Sequence, residues 1–78
     1  MVELKKVLTD IAKAIVDEPD KVTVIETVEG DNVMLELRVA EDDMGKVIGR
    51  HGKIAKSIRL VMKAAANTLG KRVTVEIR

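Results

Sequence analysis

The chain has 78 residues with no cysteine and no aromatic residue. Disulfides, thiolate metal sites, a cysteine nucleophile and aromatic platforms for stacking bases are therefore excluded, and the core is left to Val, Ile, Leu, Met and Ala. The formal net charge of +1 conceals a division: residues 1–43 hold 5 Lys/Arg and 12 Asp/Glu, whereas residues 44–78 hold 9 Lys/Arg and 1 Asp/Glu.

From Met44 to Val75 there is no carboxylate at all. Such asymmetry suits a protein that presents one end to a polyanion and the other to solvent; it would also let the two halves attract each other on folding. No apolar run approaches a membrane span, and the charged stretch Met1–Asp10 does not read as a signal peptide. One small domain over residues 1–78 is expected, in the cytoplasm, burying about 60% of its unfolded surface.

Val2–Val16 spaces Leu4, Val7, Leu8, Ile11 and Ile15 as one face of a helix, with Lys5, Lys6, Asp10 and Lys13 left for water. Pro19 ends it, because proline disfavours a helical residue before it. Lys21–Val28, rich in β-branched residues, predicts a strand, and Glu29–Asn32 (EGDN) a turn. In VMLELRV, Val33, Leu35, Leu37 and Val39 point one way and Met34, Glu36 and Arg38 the other, which completes an antiparallel hairpin.

A short apolar segment, Met44–Ile48, leads into a glycine loop and then a long helix from about Lys53 to Leu69. On a helical wheel its core stripe reads Ile54, Ile58, Val61, Ala65 and Leu69, with Lys56, Arg59 and Lys63 opposite. Gly70 suits the cap of that helix, and Val73, Val75 and Ile77 alternate along a third strand. The order α-β-β-α-α-β, with one apolar face per strand, predicts an α+β fold in which helices pack on one face of a three-stranded sheet.

The loop, GKVIGRHGK over residues 45–53, crowds glycines with cations and so invites a phosphate. It is not a nucleotide P-loop: Val47 stands where the first glycine belongs, and Ile54 replaces the hydroxyl that would hold magnesium. The dinucleotide spacing Gly-x-Gly-x-x-Gly fails as well. What remains is Gly49-Arg50-His51-Gly52 between a short helix and a long one. Two glycines let a backbone come close to a ligand, and the start of the long helix supplies free N–H groups and positive dipole.

Val47–Arg59, VIGRHGKIAKSIR, resembles the signature of KH domains, in which a Gly-x-x-Gly loop clamps the backbone of about four nucleotides. The element order resembles the type II arrangement, and length and motif together are similar to the KhpA family of small stand-alone bacterial KH proteins. That resemblance implies single-stranded RNA binding, RNA-chaperone behaviour, no enzymatic activity, and no cofactor or metal. It also implies a partner, either a second copy or a larger KH-containing protein.

Carried over by position, Gly49, Arg50, His51 and Gly52 meet phosphates. Ile48, Ile54 and Ala55 touch bases, and Lys46, Lys53 and Lys56 add charge. Arg38 and the backbone around Val39 form the opposite wall. Ala55 departs from the pattern, since many KH domains carry a large aliphatic there.

Simpler readings stand beside these. His51, the single histidine, has no cysteine partner for zinc and no serine or carboxylate near it in sequence for catalysis. Lys56, Arg59 and Lys63 could be a solvated helix face. Leu60 falls off the core stripe near Ala64 and Asn67, where it is either an ordinary exposed leucine or a dimer seam. The alternative to RNA binding is a KH fold used mainly to dock protein.

Overall fold

The computed structural model describes residues 3–78, so Val2 of the first helical segment lies outside the described residues. Helix α1 spans Leu4–Ile15, strand β1 Thr23–Glu29, strand β2 Asn32–Arg38, helix α2 Met44–Ile48, helix α3 Lys53–Thr68 and strand β3 Arg72–Ile77. The α+β order expected from the sequence holds throughout. The first strand starts two residues late, because Pro19 opens a short 3₁₀ turn, Pro19–Lys21, that uses its fixed φ.

β1 and β2 pair antiparallel from Thr23↔Arg38 to Glu29↔Asn32, and β3 pairs parallel to β2 from Asn32↔Arg72 to Leu37↔Ile77. A parallel return needs a crossover, and α2 and α3 supply it. β2 is therefore central, and β1 and β3 are edges. Leu8, Leu35, Leu37 and Met62 are fully buried between α1, α3 and the sheet.

The inward stripe of α3 differs from the one read off the wheel. Ala55, Ile58, Met62 and Ala66 are buried, whereas Ile54 and Val61 are 37% and 50% exposed. Ala65 and Leu69 are half-buried at its border. α3 packs against both β3 and α1. Small residues at 55 and 66 allow that close approach, and the pliant Met62 fills the space between them.

The sequence gives no sign of the role of Asp43, the one charged side chain buried among the described residues. Its carboxylate accepts the N–H of Asp17 (3.2 Å) and of Glu18 (3.0 Å), tying the end of α1 to the start of α2. Asp43→Ala leaves both donors without that acceptor and is expected to cost about 1–3 kcal/mol. Urea unfolding with an unchanged slope would show it; a loss below about 0.5 kcal/mol would mean that water replaces the carboxylate without penalty.

Candidate nucleic-acid interface

The loop between α2 and α3 is built on left-handed backbone. Gly49 has φ +74° and ψ 175°, His51 φ 57° and ψ 24°, and Gly52 φ +73° and ψ 15°. Gly49 donates its N–H to the carbonyl of Gly45 (2.9 Å) and closes α2; Gly52 donates to the carbonyl of Gly49 (3.1 Å) and closes a single 3₁₀ turn, Arg50–Gly52. α3 starts directly after it.

The two glycines are required for different reasons. A Cβ on Gly52 would meet nothing within 4 Å, so only its φ demands glycine. A Cβ on Gly49 would lie 2.6 Å from Cγ1 and 2.9 Å from Cβ of Ile54. Ile54 lies against the loop backbone and holds it down, while keeping 37% exposure of its own. His51 accepts a conformation costly to L-residues, a cost histidine bears more readily than most side chains.

Around this turn Arg50, His51, Lys53 and Lys56 are all exposed, and none has an ion-pair partner among the described residues. Ile48 and Ile54 give apolar surface beside them. Lys46 differs. It hydrogen-bonds Asp17 and lies 3.9 Å from Asp43, and the bond to Asp17 raises its pKa despite an opposing desolvation. Its charge is offset within the protein.

One further expectation needs correction. Ala55 is 4% exposed and belongs to the buried face of α3, so it offers no surface to a base. The structure places Arg38 at the end of the central strand β2, which is paired along both edges, with Val39 just beyond it. Arg38 points away from the buried face occupied by Leu37, and its Nε donates to Glu36 at 2.7 Å.

The strand beside α3 is β3, whose outer edge is unpaired. Arg72 and Arg78 donate to Asp31 and Leu37, so by the period of two Val73, Val75 and Ile77 turn their N–H and C=O outward. Arg59 reaches across and donates Nε–H to the Val75 carbonyl at 3.3 Å. The stripe Lys56, Arg59 and Lys63 thus borders an open strand edge. Leu60 is 69% exposed, with Ala64 and Asn67 also exposed. Among the described residues, no three His, Cys, Asp or Glu side chains cluster to hold a metal, and no helix is long and apolar enough to cross a membrane.

Helices on one face of a sheet ordered β1-β2-β3, with a parallel β2–β3 pair and a Gly-x-x-Gly turn between α2 and α3, define a type II KH domain. The fold also matches a crystal structure of Era in complex with MgGDPNP and nucleotides 1506–1542 of 16S ribosomal RNA, with a TM-score of 0.67 at 17% identity over 95% of this chain. The chain spans only 28% of that Era protein.

The model of the family "KhpA/KhpB, KH domain" matches residues 5–77, and the chain belongs to that family, which is not enzymatic. The RNA-binding protein KhpA of Clostridium acetobutylicum is 55% identical over 74 residues, 95% of this chain and 99% of that one. KhpA of Aquifex aeolicus is 45% identical over 78 residues, covering 99% and 98%.

Gly49→Ala is expected to destabilise the domain by about 1–3 kcal/mol more than Gly52→Ala, because only the first adds a clash to an unfavourable φ. Adding Ile54→Ala should recover most of the excess. Equal losses for the two glycines in urea unfolding would show that the close approach of Ile54 is unimportant.

Proposed function

We propose that the protein binds single-stranded RNA without catalysis, with Gly49–Gly52 as the clamp on the phosphate backbone. One observation carries this: three residues of positive φ at the head of a 16-residue helix, ringed by cations that have no carboxylate partner among the described residues. Left-handed turns orient successive N–H groups into a concavity for an anion, and the helix start adds its dipole. Arg50, Lys53 and Lys56 supply charge, His51 supplies a ring N–H donor, and Ile48 and Ile54 supply apolar contact for bases. About four nucleotides fill such a site. The relatives named as RNA-binding proteins support the same ligand. A role as a cytoplasmic RNA chaperone fits weak, modestly selective binding.

Replacing Arg50 and His51 with Asp should lower affinity for a single-stranded RNA more than tenfold at fixed salt, with the far-ultraviolet circular dichroism unchanged. Wild-type affinity should fall as salt rises, because bound counterions are released from the strand. Undiminished affinity in the double variant would remove the loop from the binding site.

A second reading, docking of protein, rests on exposed apolar side chains. One candidate seam is Leu60 with Ala64 and Asn67. Another is a groove of about 410 Å³ between α1 and α3, lined by Ile11, Ile15, Ile54, Ser57, Ile58 and Val61. A second copy of the chain is the proposed occupant, and a larger KH-containing protein could take the same place. Dimerisation would strengthen weak RNA binding through effective concentration. Sedimentation separates the seams: Leu60→Asp should dissociate a dimer built on the first, and Val61→Asp one built on the second. A monomeric wild type would refute both.

A further inference from the structure

We propose a second phosphate subsite at the far end of α3, formed by Lys63, Lys71 and Arg72, which takes the continuation of the strand held at Gly49–Gly52. The inference deepens the RNA-binding reading and rests on it. Lys63, Asn67, Lys71, Arg72 and Val73 line a cleft of about 400 Å³ between the last turns of α3 and the start of β3. Three of these five side chains are cations, one is an amide, and among the described residues no carboxylate lines the cleft. None of the three cations has an ion-pair partner among the described residues. Val73 turns its backbone N–H toward the unpaired edge of β3, which adds a neutral donor beside them.

The position of the cleft makes it a continuation of the loop site. α3 runs back along β3, as the pairing of Arg59 with the Val75 carbonyl and of Lys63 with Val73 in one cleft requires. Lys56, Arg59 and Lys63 then mark a cationic border from the loop to the cleft, beside an open strand edge. Ten residues of helix separate Lys53 from Lys63, about 15 Å of rise. A stacked strand carries one phosphate per roughly 3.4 Å, so the interval corresponds to about four phosphates, and fewer if the strand is extended.

The track ends at Arg72, which also borders the turn carrying Glu29 and Asp31. Those carboxylates repel a strand that ran farther. The ligand is therefore a phosphodiester backbone of up to about eight nucleotides, of which the loop clamps about four.

The test is a comparison of a single-stranded RNA tetramer and octamer by fluorescence anisotropy at constant salt. The variants are Lys63→Gln/Lys71→Gln/Arg72→Gln and Arg50→Asp/His51→Asp. An octamer offers more registers to a short clamp, so the readout is the variant and not the length alone. The triple variant should bind the octamer about tenfold more weakly while its tetramer affinity stays within about twofold. The slope of log affinity against log salt for the octamer should fall by about 2, at about 0.7 for each phosphate no longer neutralised. Lys63→Gln alone, at an exposed helical position, should give about a third of that change and guards against a folding defect in the triple variant.

Unchanged octamer affinity in both variants of the cleft, or equal loss for both lengths, overturns the subsite and leaves the loop reading intact. Loss of both lengths in the Arg50/His51 variant is the separate check on that reading.

Discussion

The seating of Ile54 on Gly49 is the interaction on which the site depends. A side chain at position 49 and the observed place of Ile54 are mutually exclusive, since the missing Cβ would stand 2.6 Å from Cγ1. Ile54 belongs to the first turn of α3, and the next residue, Ala55, is buried. The helix therefore sets the loop: once Ala55, Ile58 and Met62 take up the core, Ile54 is carried over Gly49. The left-handed turn at His51 and Gly52 is held between two helices and not by its own hydrogen bond alone. A strained turn persists only where its surroundings determine it, and here they present cations and backbone donors together.

Electrostatics follows from which carboxylates are already engaged. Every ion pair among the described residues lies outside the track from Arg50 to Arg72. Lys6 pairs with Asp10 on α1, Lys46 with Asp17 and Asp43, and Arg38 and Arg78 with Glu36 and Glu76. The pairs between exposed side chains, such as Lys6 with Asp10, contribute little to stability. Their consequence is electrostatic, because they neutralise charge on the sheet and on the acidic half. Among the described residues the cations left without an ion pair are those of the loop, the exposed face of α3 and the start of β3, together with Lys5, Lys13 and Lys21 in the acidic half. A protein of net charge +1 can thus present a cationic surface to a polyanion, and a low overall charge is a poor guide to such a partner.

All six major elements and the loop were legible in the sequence, because strict alternation in VMLELRV and helical spacing in Leu4–Ile15 leave few other solutions. The inward face of α3 was not. Ile54, Ile58 and Val61 form one apolar stripe and Ala55, Ile58, Met62 and Ala66 another, displaced by about 100° per residue. Hydrophobicity favours the first; close packing against β3 and α1 selects the second. The central place of β2 in the sheet was not legible either. Nothing in a strand's own sequence says whether it is central or an edge, and the parallel return of β3 makes β2 central. Asp43 was hidden because its partners are backbone N–H groups 25 and 26 residues away, which carry no sequence signal.

The most direct measurement is an amide chemical-shift map of the isotope-labelled protein titrated with a short single-stranded RNA. The largest changes should fall on Arg50, His51, Gly52 and Lys53, with Thr27, Met34 and Thr74 on the outer face of the sheet unmoved. Changes centred on that outer face, with Gly49–Lys53 silent, would contradict the loop as the RNA clamp.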